Sequence, residues 1–105
     1  MIIMRYDILP DDTIAGGKVF IDMGTDQGTG HPDGMKVDQK GNVYSVGPGG
    51  VWIMSPEGKH LGTILAGDLT NLAFGDADGK TLYMTGRRPR AELFRIRLKI
   101  PGIRP

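Results

Sequence analysis

Glycine and proline interrupt this chain so often that only short extended elements can form between them. The 105 residues include 17 glycines and 7 prolines, and the longest window without either, Arg90 to Ile100, alternates apolar with mostly charged side chains. Alternation with a period of two is typical of a β-strand, and no segment carries the apolar stripe of an amphipathic helix. The sequence therefore predicts an all-β fold of roughly nine short antiparallel strands.

The most regular part of the chain begins at Met35. Four short apolar runs follow one another between Met35 and Leu65, and a glycine or a proline stands at every junction. Junctions of this composition are typical of hairpin turns, because glycine supplies the backbone conformations that such turns need. This part is predicted to be a four-stranded antiparallel meander.

One unit of this pattern occurs twice. Residues 33–44 match residues 71–83, with Asp38 aligned to Asp76 and Tyr44 aligned to Tyr83. A period of roughly 40 residues with four strands per unit is typical of β-propeller blades. We therefore predict a single partial-propeller domain over residues 1–105, with the strands of about two blades. In it, residues 1–23 end one blade, residues 31–65 form a complete blade and residues 69–100 form three strands of the next.

Composition and charge exclude several classes of function. There is no cysteine, which rules out disulfides, thiolate metal sites and a cysteine nucleophile. The formal net charge of +1 gives no global field that would attract nucleic acid or an anionic membrane. The N-terminal stretch has no long apolar run, so neither a secretory signal nor a membrane span is predicted. We expect a soluble, cytoplasmic protein with no nucleic-acid or membrane partner.

The motif Pro32-Asp33-Gly34 places a carboxylate directly before the first strand of the meander. Proline fixes its own φ and glycine accepts dihedral angles that other residues avoid, so a tight turn explains the motif fully. A carboxylate at the mouth of a strand is also a possible metal ligand, and both interpretations stay open from the residues alone. Asn71 occupies the equivalent position of the second unit.

Arg87, Arg88 and Arg90 form the densest basic cluster, between two predicted strands. A solvated hairpin tip accounts for them, and a site for an anion or a protein partner is the alternative. Nucleic acid is disfavoured here because no aromatic stacking platform accompanies the arginines.

Several motifs in a fixed order resemble the C-terminal part of the SMP-30/gluconolactonase/LRE family. They are Gly30-His31-Pro32-Asp33-Gly34-Met35-Lys36-Val37-Asp38, Gly41-Asn42-Val43-Tyr44, Gly49-Gly50-Val51-Trp52-Ile53, Ser55-Pro56-Glu57-Gly58-Lys59 and Asn71-Leu72-Ala73-Phe74-Gly75. The resemblance implies a six-bladed propeller that binds one divalent cation, often Ca²⁺, at the mouth of its central channel. It also implies hydrolysis of sugar lactones or related esters in many members.

Carried over residue by residue, the resemblance makes Asp33 a metal ligand and gives Asn71 a secondary role at most. The other ligands of the family, a glutamate of the first blade and asparagines of the middle blades, have no counterpart in this sequence. Calcium takes six to eight oxygen ligands, so one carboxylate does not hold it.

Three functional hypotheses follow. The chain is a non-catalytic module whose sheets serve assembly, a metal-dependent lactone or ester hydrolase completed by oligomerisation or by a missing N-terminal region, or a piece of a longer chain. Part of a ring exposes apolar blade faces, so we expect a homo-oligomer. A small-molecule lactone is expected as a partner only if the site is completed.

Overall fold

Each short apolar run of the sequence forms one strand of the fold. The computed structural model describes residues 1–24 and 30–104, with the side chain of Arg88 left out. The strands are β1 (Ile2–Ile8), β2 (Ile14–Asp22), β3 (Met35–Val37), β4 (Val43–Gly47), β5 (Gly50–Met54), β6 (His60–Leu65), β7 (Asp68–Gly75), β8 (Thr81–Arg88) and β9 (Glu92–Arg97). The described residues contain no helix, so none is long and apolar enough to cross a membrane.

The strands form three antiparallel sheets in chain order. We call them the N-terminal hairpin (β1-β2), the middle sheet (β3-β4-β5-β6) and the C-terminal sheet (β7-β8-β9). Tight turns make this order possible: Gly47 pairs with Gly50 across the β4–β5 turn, and Gly49 within it has a φ of 85°, which glycine adopts without steric cost. The predicted all-β fold of antiparallel meanders is confirmed.

The two central strands of the middle sheet, β4 and β5, are buried on both faces. Successive side chains of a strand point to opposite faces, so β4 and β5 send Val43, Trp52 and Met54 to one side. There they pack with Ile21 and Met23 of the N-terminal hairpin. On the other side, β4 and β5 present Tyr44, Val46 and Val51. These side chains pack against the C-terminal sheet, at Leu69, Leu72, Leu82 and Met84. The three sheets are therefore stacked face to face with the middle sheet between the other two.

A buried carboxylate closes the turn between β3 and β4. Asp38 has no exposed surface, and its oxygens accept hydrogen bonds from the backbone N–H groups of Lys40 (2.8 Å) and Asn42 (3.0 Å). The Asn42 side-chain amide (2.9 Å) and the Tyr44 hydroxyl (3.0 Å) donate to the other oxygen. Burial and this contact raise the pKa of the Tyr44 hydroxyl. A carboxylate with four donors is fully satisfied, which is what its burial requires.

The last described residues join the middle and C-terminal sheets at their turns. The Pro101 carbonyl accepts a hydrogen bond from Gln39 N–H (2.9 Å), and Gly102 N–H donates to the Gly79 carbonyl (3.0 Å). Ile103 N–H donates to the Val37 carbonyl (3.0 Å). Residues 101–103 thus tie the turn after β3 to the turn after β7, a contact that the strand pattern did not predict.

We expect Tyr44→Phe to lower the free energy of unfolding by about 1–3 kcal/mol, because it removes a donor to a buried charge. Tyr83→Phe is the matched control, since Tyr83 donates to Asp76 in the equivalent turn (2.7 Å) but that carboxylate is exposed to water. Urea denaturation of both variants measures the difference. Equal losses would contradict the role assigned to burial of Asp38.

Candidate functional site

Asp33 lies where the chain enters the middle sheet, next to the C-terminal sheet. Gly34 N–H donates to the Thr70 carbonyl of β7 (3.1 Å), and the Gly34 carbonyl accepts a hydrogen bond from Val46 N–H of β4 (3.0 Å). The residue after Asp33 is therefore fixed between two sheets. The side chain of Asp33 is exposed, and no side chain among residues 1–24 and 30–104 is hydrogen-bonded to it.

Asn71 lies directly beside this segment. A Cβ atom added to Gly34 would be 2.7 Å from the Cα atom of Asn71, so the two backbones approach as closely as a glycine allows. The Asn71 side chain is exposed, and its carbonyl oxygen accepts a hydrogen bond from Leu72 N–H (2.8 Å). The fold thus places Gly34, the residue after Asp33, against Asn71, so the segments that contain the two singled-out residues are neighbours.

These two segments alone do not fit a calcium ion. They offer one carboxylate and one amide oxygen that is already hydrogen-bonded, whereas calcium requires six to eight oxygens. Within the described parts of the chain, no group of three or more histidine, aspartate or glutamate side chains could hold a metal. A metal role for Asp33 or Asn71 stays a prediction.

The two histidines make local contacts instead. The Nδ1 atom of His31 lies 3.2 Å from the sulfur of Met1. The His60 ring stacks on Trp52 with centroids 3.9 Å apart, and its Nε2 atom lies 2.9 Å from the Thr63 hydroxyl. His60 therefore has a structural role at the start of β6.

The acidic turn between β7 and β8 uses its carboxylates internally. Asp76 accepts hydrogen bonds from the hydroxyls of Thr81 and Tyr83, which lower its pKa. The two terminal nitrogens of the Arg97 guanidinium donate to Asp78, at 3.0 and 2.6 Å, and hold the pKa of that carboxyl well below its usual range. This segment is a closed hairpin turn.

The arginine cluster is partly neutralised by neighbouring acids. Arg87 lies 3.2 Å from Asp68 and Arg90 lies 2.8 Å from Glu92, while the side chain of Arg88 is outside the described part. Ion pairs at an exposed surface are weak and leave each arginine accessible to another partner. An anion- or partner-binding role for Arg87, Arg88 and Arg90 stays a prediction.

Asp38 is the polar residue that inspection of the sequence missed. It organises the turn after β3 by accepting hydrogen bonds from the side chains of Asn42 and Tyr44. The signal was present in the repeat, since Asp76 and Tyr83 recur at the equivalent places. Paired recurrence of an acceptor and a donor indicates a hydrogen bond that closes each turn.

Comparison with known proteins places this geometry in a wider context. Residues 1–88 match a family described as the SMP-30/Gluconolactonase/LRE-like region. A gluconolactonase of Zymomonas mobilis is 38% identical over a match of 81 residues, and the match covers 73% of this chain and 22% of that protein.

Two solved structures resemble the fold. The X-ray structure of a candidate gluconolactonase superposes with a TM-score of 0.74 at 28% identity, over 96% of this chain and 33% of its own. A luciferin-regenerating enzyme superposes with a TM-score of 0.82 at 19% identity, over 97% of this chain and 40% of its own, and so supports the fold alone. The chain spans between about a fifth and two fifths of the length of these relatives.

We expect Gly34→Ala to destabilise the fold by about 1–3 kcal/mol, because the new methyl group would overlap backbone atoms of Asn71 and push β7 away. Gly62→Ala is the matched control, since no atom lies within 4 Å of a Cβ added there. Thermal unfolding followed by circular dichroism compares the two variants. A loss of the same size in both would show that the close approach at Gly34 is unimportant.

We also expect low pH to reduce the free energy of unfolding by protonating Asp76 and Asp78 in the turn between β7 and β8. Their pKa values are lower in the folded chain than the usual value of about 3.9, so their stabilising effect is complete above that pH and is lost as the pH falls towards the folded pKa. Urea midpoints measured at about pH 5 and about pH 2.5 should differ less in Asp78→Asn than in the unmodified protein. An unchanged difference would contradict the assignment.

Proposed function

Because this chain belongs to the SMP-30/gluconolactonase/LRE-like family, we propose that it is a gluconolactonase-like propeller segment that is non-catalytic alone and associates with further copies of itself. Its similarity covers residues 1–88 of the chain but only a small part of its relatives. Activity of the whole relatives therefore does not transfer to this chain by similarity alone.

The observation that carries the proposal is the donor set beside β3. Asp33 is exposed, and its neighbour Asn71 already uses its side-chain oxygen to accept a hydrogen bond from Leu72 N–H. The resemblance implies a divalent cation, with Asp33 as one of its ligands. One carboxylate and one engaged amide leave most of the coordination shell of a Ca²⁺ ion to other groups.

Self-association is supported by the two outer sheets. The N-terminal hairpin and the C-terminal sheet each cover one face of the middle sheet and leave their own second face exposed. Exposed apolar side chains grouped on a sheet are typical of an interaction surface.

A lactone or ester hydrolase is the second candidate, favoured by the close approach of Gly34 to Asn71. This contact makes the Asp33 segment and Asn71 neighbours. In this alternative, the divalent cation that the resemblance implies binds beside them. In this alternative the remaining ligands come from other copies or from a missing N-terminal region. A sugar lactone would then be the substrate class, as the name of the Zymomonas mobilis relative suggests.

Calorimetric titration with calcium separates the two candidates. For the isolated chain we expect no stoichiometric binding at millimolar calcium and no release of acid from gluconolactone above the rate without protein, because the donor set is incomplete. Asp33→Ala should then behave like the unmodified protein. Glu57→Ala is the control for loss of one exposed carboxylate elsewhere.

The opposite result would be equally clear. Stoichiometric calcium binding that Asp33→Ala abolishes and Glu57→Ala preserves, together with lactone turnover, would overturn the non-catalytic proposal and establish the hydrolase.

A further inference from the structure

The two outer faces of the sheet stack differ in their side chains. On the N-terminal hairpin, Ile2, Met4 and Val19 are exposed, whereas Ile3 and Ile21 are paired across the strands and pack into the core with Met54. Because side chains alternate along a strand, Ile2 and the Met4–Val19 pair are assigned to the side of the hairpin opposite Ile3 and Ile21. We call Ile2, Met4 and Val19 the hairpin face. Its side chains are apolar, and the most exposed of them is Val19 at 54%.

The opposite end of the stack is the C-terminal face, formed by Ala73, Tyr83, Leu93 and Arg95. Cross-strand pairing sets this composition, because Tyr83 is paired with both Ala73 and Arg95 and all three share one side of the sheet. Leu93 is 70% exposed and lines a shallow cavity of 170 Å³ together with Ala73 and Tyr83. An apolar side chain could therefore enter this face beside Leu93.

The charges of the two ends are complementary. Residues 1–24 carry four acidic and two basic side chains, a formal charge of −2. Residues 68–104 carry four acidic and eight basic side chains, a formal charge of +4. Residues 30–67 carry three of each, so the opposite charges are concentrated at the two ends of the stack. Such a distribution favours contact between unlike ends and disfavours contact between like ends.

We propose that the hairpin face of one copy packs on the C-terminal face of a second copy. The contact repeats the face-to-face stacking that already joins the three sheets within one chain, and it rests on the proposed self-association. Each copy uses two different surfaces, so the interface is heterologous and copies add head to tail until a ring closes or an open array forms. Arg95 lies within the C-terminal face, and Asp22 is the cross-strand partner of Ile2 on the hairpin face.

The test uses one variant for each face. Val19→Asp disables the hairpin face and Leu93→Asp disables the C-terminal face, and both positions are exposed enough to accept the change without unfolding the chain. Light scattering after gel filtration should find assemblies of the unmodified protein above the 11.4 kDa of one chain. Each variant alone should be monomeric, and an equimolar mixture should give a species of one chain of each, because one intact face remains on each partner.

Two controls test whether an effect comes from the substituted face and not from unfolding or from any added charge. Leu65→Asp changes a side chain that is 83% exposed on β6, outside both faces, and should keep the assembly. Circular dichroism verifies that each variant is folded, and Met4→Asp with Arg95→Glu provides a second pair if either first variant unfolds. Raising the salt concentration should weaken the assembly of the unmodified protein, because the charge attraction is screened.

The outcomes distinguish this interface from self-association in general. A monomeric unmodified protein would overturn both the proposed self-association and the proposed interface. Assembly that survives both Val19→Asp and Leu93→Asp would leave self-association standing and overturn this interface. If Val19→Asp is monomeric but Leu93→Asp still forms a dimer, the contact joins two hairpin faces. That result would also overturn the proposed interface.

Discussion

The requirement that the middle sheet be covered on both faces determines the arrangement of the whole chain. Val46, Val51 and Met54 have no exposed surface, although they point to opposite sides of the same sheet. Burying an apolar side chain of this size stabilises a fold by about 1.5–3 kcal/mol. The N-terminal hairpin and the C-terminal sheet supply the two covers. Each of these two outer sheets packs one of its faces on the middle sheet. Its other face therefore has no sheet of the same chain packed on it.

The same stacking explains where the candidate site lies. The contact of Gly34 with β7 fixes the segment of Asp33 beside Asn71, and the contact exists because the middle and C-terminal sheets share a core. A site that needs more ligands than one pair of neighbouring sheets provides depends on further sheets. The possible enzyme activity and the possible assembly of this chain are therefore parts of one question, namely what completes the stack.

Much of the fold followed from sequence because its causes are local. The alternation of apolar residues and the turn glycines predicted the strands from Met35 onwards. The role of Asp38 was missed, since a carboxylate at a turn has the same appearance in sequence whether it is solvated or buried. Tyr44 and Tyr83 are aligned in the repeat, but Tyr44 is buried in the core whereas Tyr83 lies on the outer face of the C-terminal sheet and is only half-buried.

The sequence by itself determined the strands, their antiparallel order and the family, because turn chemistry, side-chain alternation and motif order are written in neighbouring residues. Only the tertiary structure decided which carboxylates are hydrogen-bonded within turns, which aromatic rings are buried and which two sheet faces are exposed. Those outcomes depend on contacts between residues far apart in the chain, such as Ile103 with Val37 or Gly34 with Thr70. Burial is a property of the stacked sheets and not of any single strand.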